Sequence, residues 1–325
     1  MKKLIAILAL FSLEVLLVYS SAYSFSAPVL RKVADVEESW SLNHILVTMG
    51  NRVREIDTRT GNTTWEYVEP EGEALFSADR LPNKHTLITL YDKVFEVNEY
   101  GQIVWERHTD PLVGTITYRA FYDALRLANG DTLVSGGECS GNISCRGRLW
   151  QYNPSGEQVW TYSNALALVF GDGDRLPNGN TLLSSDYAMA VMEIDPNNNI
   201  VFSYNDNGRI TTAFDSDRLG NGNTLISAIY CEHGYPCNAI VREITPTRNT
   251  VWEYLGLNGV AEDADRLPDG TILIADKDGN PNYAGTEGPN GRIIIVNSAG
   301  QILWQYRTLG APRDVDAIPD AYTLP

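Results

Sequence analysis

A chain of 325 residues with 43% hydrophobic and 20% charged side chains has ample material for a buried core, which excludes an intrinsically disordered chain. Its formal net charge of −16 excludes a general affinity for nucleic acid, whose phosphates require clustered Lys and Arg. The same charge suits a cationic ligand or metal ions, or simply a soluble acidic surface.

The first element in chain order is an address. Lys2 and Lys3 precede an apolar run over residues 4–18, and the small residues Ser20, Ser21, Ala22 and Ser24 follow. This is the layout of a secretory signal peptide over residues 1–24, with Ala22-Tyr23-Ser24 as the cleavage site. The alternative is an uncleaved anchor, although Glu14 would be costly in hydrocarbon. No other segment is long and apolar enough for a spanning helix, so membrane attachment is expected only through this one. Residues 25–39 read as a linker and residues 40–325 as a single domain.

That domain is a repeat. Asp79-Arg80-Leu81-Pro82-Asn83 precedes Thr86-Leu87, and the phrase returns at residues 126–133, 174–182, 217–225 and 265–271, with a degenerate copy at 316–320. A second phrase runs in step with it: Trp65, Trp105, Trp160, Phe202, Trp252 and Trp304 each end a short β-branched run. Tyr67, Tyr162, Tyr204, Tyr254 and Tyr306 stand two residues later, and Arg107 alone breaks that column. Between the phrases lies alternating sequence such as Val94-Phe95-Glu96-Val97. Period-two alternation between turn signals predicts strands, and no helical period competes with it. Each unit therefore reads as four strands: A (Asp-x-Asp-Arg-Leu), B (Asn-Thr-Leu-Ile), C (Val-x-Glu-Ile) and D (Ile-Val-Trp-Glu-Tyr). Four-stranded units of about 40–50 residues predict an all-β, six-bladed β-propeller. The first copy starts at strand B, around His44, and the last supplies only a strand A, over residues 312–319. Joining the two closes the ring and removes its open edges.

Within a blade, the short A–B and C–D turns fall on one face. The irregular B–C and D–A loops fall on the other, which is the expected binding face. Cys139 and Cys145 flank one B–C loop, and Cys231 and Cys237 flank another at the same separation. Four cysteines allow three pairings; two local bridges are favoured and suit an exported protein in an extracellular, cell-surface or periplasmic compartment. A zinc site is disfavoured by the spacing. Asn62-Thr63-Thr64 and Asn142-Ile143-Ser144 are glycosylation acceptors if the host has that machinery.

Three sets of residues are candidates for a site. The first is an acidic column at the start of strand A: Asp123, Asp172, Asp215, Asp263 and Asp314, with Ser77 in the remaining blade. Two residues on stand Asp79, Asp174, Asp217, Asp265 and Asp316, next to Arg80, Arg126, Arg175, Arg218 and Arg266. This column reads either as Asp–Arg pairing between blades or as a ligand or metal ring, and its repetition favours pairing. The second set is a calcium loop: Asp276, Asp278, Asn280, Asn282 and Glu287 place oxygens at positions one, three, five, seven and twelve, although Pro281 stands where glycine is needed. The third set is histidine. His44 lies in a strand and His85 in an A–B turn, while His108 and His233 are on the loop face.

The phrases Asp-Ala-Asp-Arg-Leu-Pro-Asp-Gly, Leu-Pro-Asn-Gly-Asn-Thr-Leu and Gly-Gln-Ile-Val-Trp-Glu resemble the repeats of arylsulfotransferase-like propellers, from residue 40 to the C-terminus. The resemblance implies transfer of a sulfuryl group between small phenols through a histidine nucleophile, with cations offsetting the sulfuryl charge. His108 is then the first candidate nucleophile and His233 the second, with Arg126 or Arg175 as the cation. No histidine stands at the start of a strand A, where Asp takes the place. Residues 57–61, leading to Trp65, also resemble quinoprotein-type repeats, but those rings have more blades. The alternative to catalysis is a secreted or cell-surface propeller that binds a small aromatic ligand or a surface partner through its loop face. A third reading is a calcium-stabilised scaffold.

Overall fold

The computed structural model describes residues 30–32, 42–112, 114–141, 144–186, 190–232, 234, 236–279 and 290–324. A short strand β1 (Leu30–Lys32) comes first, inside the stretch read as linker. Then come β2 (His44–Met49), β3 (Arg52–Asp57) and β4 (Thr63–Val68), followed by β5 (Leu75–Arg80), β6 (Thr86–Leu90), β7 (Lys93–Val97) and β8 (Ile103–His108). The next eight are β9 (Ile116–Arg126), β10 (Thr132–Ser140), β11 (Ser144–Tyr152), β12 (Gln158–Asn164), β13 (Phe170–Arg175), β14 (Thr181–Ser185), β15 (Val191–Ile194) and β16 (Ile200–Tyr204). The last nine are β17 (Ile210–Arg218), β18 (Thr224–Tyr230), β19 (Asn238–Ile244), β20 (Thr250–Tyr254), β21 (Gly259–Arg266), β22 (Ile272–Asp278), β23 (Gly291–Val296), β24 (Ile302–Thr308) and β25 (Pro312–Ile318).

These strands form six antiparallel sheets, one per blade, each in the order A-B-C-D. Blade 1 is composite. Its strand A is β25, which pairs with β2 from His44 opposite Ile318 to Thr48 opposite Asp314. The ring is thus closed by the C-terminal strand. β1 adds a fifth strand outside β24 of blade 6, with Leu30 opposite Tyr306. Consecutive A strands touch around the whole circle, from β25 to β5 and on to β21, so strand A lines the central channel.

Burial follows the pleat. Strands B and C are covered on both faces by neighbouring blades and are mostly apolar, as in β6 (Thr86–Leu90) and β23 (Gly291–Val296), both wholly buried. Strand D is the outer edge and exposes Val104, Val159, Val201 and Val251. Its Tyr column turns inward and is buried at Tyr67, Tyr162, Tyr204, Tyr254 and Tyr306. Each A–B turn needs a left-handed residue: Gly130, Gly179, Gly222 and Gly270 have φ of 86–88°, and Lys84 takes the place in blade 2 with φ 69°.

The blades are clamped together by the arginine that ends strand A. Arg80 donates to Glu55 (2.9 Å), Arg126 to Glu96 (2.8 Å), Arg175 to Gln151 (2.9 Å) and Arg218 to Glu193 (2.7 Å), and Arg266 donates to Glu243. Every acceptor belongs to strand C of the preceding blade. Each guanidinium also lies over that blade's strand-D aromatic, Trp65, Trp105, Trp160, Phe202 or Trp252, at 4.6–5.8 Å. The expected Asp–Arg pairing is therefore corrected. Neighbouring residues of a strand point to opposite faces, so Arg80 enters the blade interface while Asp79 points away from it.

Candidate functional site

The acidic column lines the channel. The strands A of blades 3, 5 and 6 begin four to seven residues before their first aspartate, so Asp123, Asp215 and Asp263 lie within strands rather than at their starts. Two rings result. The ring nearer the loop face holds Ser77, Asp123, Asp172, Asp215, Asp263 and Asp314; the deeper one holds Asp79, Leu125, Asp174, Asp217, Asp265 and Asp316. These carboxyl groups sense one another across the lumen: Asp79 feels the charges of Asp123, Asp174 and Asp263, which belong to three other blades.

Part of the ring is held by backbone. Asp314 accepts from the Ala78 amide (2.8 Å), Asp263 from Val315 (2.8 Å) and Asp215 from Ala264 (3.3 Å), each in the next blade. Asp172 is different. Its Oδ2 is out of solvent, and its carboxyl meets that of Asp123 in the preceding blade, close enough for the two acids to share a proton. Burial first, then neighbouring carboxylates, pushes Asp79 up to about 8. Burial leads at Asp174 and Asp263 too, each raised to about 6. Asp172, Asp215, Asp217, Asp265, Asp314 and Asp316 are raised well above the ordinary carboxylate range for the same two reasons. At neutral pH the channel therefore retains protons that exposed aspartates would have lost.

A bulge just before the first ring shapes the mouth. Register slips between Leu75 and Ser77, Phe121 and Asp123, Ala213 and Asp215, Ala261 and Asp263, and Pro312 and Asp314 put Phe76, Tyr122, Phe214, Glu262 and Arg313 out of the ladder. Blade 4 has Gly171 there, and a Cβ on it would fall 2.5 Å from the Phe214 carbonyl oxygen. Around the ring the Arg313 guanidinium lies 4.8 Å over Phe76, Phe76 meets Tyr122 edge-on at 5.0 Å, and Tyr122 touches Tyr118 through their hydroxyls. These contacts run over three blades, Arg313 from blade 1 and aromatic rings from blades 2 and 3.

The other candidates are scattered. Arg126 and Arg175 donate to the carbonyls of Gly130 and Gly179 in the A–B turns, on the face opposite the loops, and are occupied by Glu96 and Gln151. His108 ends the exposed edge strand β8, 3.7 Å from Glu106. His44 is paired with Glu55 beside the blade interior, and His85 with Glu96 at the A–B turn. His233 lies outside the described residues. Among the described histidines only His85 comes together with one of these arginines, Arg126, with which it shares Glu96 away from the loop face; His108 meets neither arginine.

The calcium loop is corrected at its first ligand. Asp276 belongs to strand β22, is fully buried, and spends its oxygens on Arg292 (2.6 Å) and the Asn258 amide (3.0 Å). Asp278 ends the same strand. Asn280, Asn282 and Glu287 lie outside the described residues. Among the described residues no three His, Cys, Asp or Glu side chains gather tightly enough to hold a metal ion. The two cysteine bridges are the local ones, Cys139–Cys145 and Cys231–Cys237, each closing a B–C hairpin on the loop face. No helix among the described residues is long and apolar enough to cross a membrane. Residues 1–24 lie outside the description.

What sequence reading missed was the rim and the true partners of the arginines. A column of Glu55, Glu96, Gln151, Glu193 and Glu243 in strand C was the available signal for the latter.

No protein-family model matches the chain, and no curated protein matches it. Solved structures do. A crystal structure of a protein of unknown function from Bacteroides caccae aligns with a TM-score of 0.63 at 19% identity, over 85% of this chain and 98% of that one. Streptogramin B lyase aligns with a TM-score of 0.51 at 12% identity, over 86% of this chain and 87% of its own. At these identities the likeness is one of fold.

Proposed function

We propose that the chain is a non-catalytic binding propeller, working in an oxidising compartment, whose binding surface is the loop face and the channel mouth at its centre. The observation that carries this reading is the lumen. Two rings of half-buried carboxylates line the channel, while the repeated arginines are held between blades. The paired cysteines support the compartment, since such bridges persist where thiols are not kept reduced.

Sulfuryl transfer is the second reading, favoured by the repeat phrase shared with arylsulfotransferase-like propellers. It needs a neutral imidazole within reach of the sulfur and cations around the sulfuryl oxygens. An acid-lined lumen repels such an ester. Purified protein given an aryl sulfate donor and a phenol acceptor is expected to show no transfer. Turnover that vanishes in the His108→Ala, His233→Ala double variant would replace the binding reading with the catalytic one.

A further inference from the structure

We propose that the Cys231–Cys237 bridge of blade 5 is a thiol–disulfide exchange site that a dithiol opens from the loop face, whereas the Cys139–Cys145 bridge of blade 3 is a permanent staple. This adds a regulation to the binding face and rests on the binding reading above.

The two bridges join cysteines at the same separation but sit differently in their ladders. In blade 3 the pairing of β10 with β11 runs past the bridge, from Thr132 opposite Tyr152 to Ser140 opposite Ser144, with Cys139 directly opposite Cys145. β9 flanks the same strand as far as Ser140, and the Gly141 amide donates to the Thr115 carbonyl at 2.8 Å. On the other arm β12 already pairs at Gly147, two residues from Cys145. Hydrogen bonds thus hold these sulfurs opposite each other whether or not they are joined. Thiols kept in reacting position close again readily, which favours the oxidised form.

In blade 5 the ladder of β18 and β19 stops at Tyr230 opposite Asn238, one rung short of the bridge. β20 joins β19 only from Val241, so the first three residues of the arm behind Cys237 have a strand neighbour on one side alone. Opening this bridge lets the ends of β18 and β19 separate, and the closed form loses the advantage that blade 3 keeps. The separation falls beside Tyr230, whose ring holds the Arg242 guanidinium at 4.6 Å. The surroundings of the sulfurs agree. Cys231 is half-buried and Cys237 buried, so an incoming thiolate reaches the Cys231 Sγ first. The Thr211 hydroxyl stands 3.9 Å from that Sγ, where it can donate to a thiolate. In the first step a thiolate of the dithiol attacks the Cys231 Sγ, forming a mixed disulfide and releasing the Cys237 thiolate, which takes up a proton. The second thiolate of the dithiol then attacks the dithiol's own sulfur in the mixed disulfide. That releases the Cys231 thiolate, which Thr211 receives with a hydrogen bond before it is protonated. Two electrons pass to the bridge, which becomes two thiols, and the dithiol leaves as a disulfide.

The test equilibrates the full-length oxidised protein with mixtures of reduced and oxidised dithiothreitol, alkylates the thiols after an acid quench, and reads each cysteine by peptide mass spectrometry. Cys231 and Cys237 are expected to carry the label at a reduced-to-oxidised ratio at least about tenfold lower than Cys139 and Cys145 require. The Cys231→Ser, Cys237→Ser double variant is expected to melt cooperatively, as the parent does, because an exchange site must open without unfolding the ring. Three results would overturn the proposal: labelling of all four cysteines together, labelling of blade 3 first, or loss of cooperative melting in the double variant. The two readings fail separately. Sulfuryl turnover removes the binding reading and leaves the order of reduction as it is, whereas a reversed order removes only the exchange site.

Discussion

Five of the six blade interfaces are built one way and the sixth another. From blade 1 round to blade 6, an arginine of each strand A crosses to a Glu or Gln of the preceding strand C and covers a Trp or Phe. At the seam, where blade 6 meets blade 1, Ala317 stands at the arginine position and Ile295 at the acid position. Both belong to an apolar cluster with Ile45, Ile56 and Trp304. Trp304 is there 1% exposed and donates to the Thr58 carbonyl at 2.9 Å, whereas its counterparts are only half-buried. The turn residues change with it. Asn178 and Asn180 reach Glu193, and Asn221 and Asn223 reach Glu243, but in blade 6 Asp269 and Thr271 bond to each other. The unlinked ends meet inside blade 1, between β25 and β2, and the apolar cluster packs both strands against blade 6, which hydrophobic contact does without needing exact geometry.

The largest break is at the seam. Ending the chain at Gly310 removes β25, opens the edge of β2 and strips one face from the apolar cluster. Loss of cooperative melting, or of soluble protein, is expected in thermal denaturation; an unchanged transition would show that the ring does not depend on its closure.

Single side chains sharpen the comparison. Trp304→Ala leaves a cavity in a fully enclosed site and is expected to cost about 3–5 kcal/mol in urea unfolding. Trp252→Ala, at a charged interface, is expected to cost about 1–3 kcal/mol. Among the clamps, Arg80→Met takes from the wholly buried Glu55 its guanidinium partner, leaving it with His44, and is expected to cost about 3–5 kcal/mol. Arg175→Met leaves only the neutral Gln151 and is expected to cost clearly less, about 1 kcal/mol. Equal costs at Arg80 and Arg175 would show that charge at the acceptor is irrelevant.

Much of this was legible beforehand, for reasons of period. A repeated phrase with one unit cut between the ends gives blade count and closure directly, and cysteines six residues apart on either side of a hairpin loop meet across it. The channel was half-legible. Asp79, Asp174, Asp217, Asp265 and Asp316 are adjacent to an arginine or its replacement in sequence, and that adjacency suggested a pair. In an extended strand adjacency separates side chains instead, sending one to the lumen and the other to the next blade. The rim was hidden because a bulge shifts Phe76 and Tyr122 out of the alternation from which their direction would be read. The calcium spacing misleads at its first ligand for the converse reason: Asp276 and Asp278 are two residues of a strand, and the buried one already has a cation in Arg292.

The channel offers a pH test that the interfaces do not. Its aspartates have raised values in the fold, so their contribution is fully present below the unfolded value, near 3.8, and is lost as pH rises through the folded one. Asp174 and Asp263 place part of that loss around pH 6 and Asp79 extends it to about 8. Melting temperature is therefore expected to fall from pH 5 to pH 8. Asp79→Asn is expected to raise it at pH 8 and to leave it nearly unchanged at pH 4. A stabilisation equal at both values would mean that the effect lies in packing and not in ionisation.

The smallest expected effect is the most exacting for the comparison. The seam's solution can be transplanted to the interface of blades 5 and 6 by four replacements: Glu243→Ile, Arg266→Ala, Asn221→Asp and Asn223→Thr. Each copies what stands at Ile295, Ala317, Asp269 and Thr271. Arg266→Ala alone leaves Glu243 buried without its main partner and is expected to destabilise by about 3 kcal/mol. Completing the set removes the stranded acid along with its donors, and exchanging a buried pair for apolar groups is close to neutral. The fourfold variant should therefore regain most of what the single one loses and unfold within about 1 kcal/mol of the parent. If instead the four changes add, the clamps are worth their Coulombic attraction, and the seam is stable only because Trp304 is enclosed there. Chemical denaturation of the parent, the single and the fourfold variants at one pH distinguishes these outcomes, since the two accounts differ in sign for the last three substitutions.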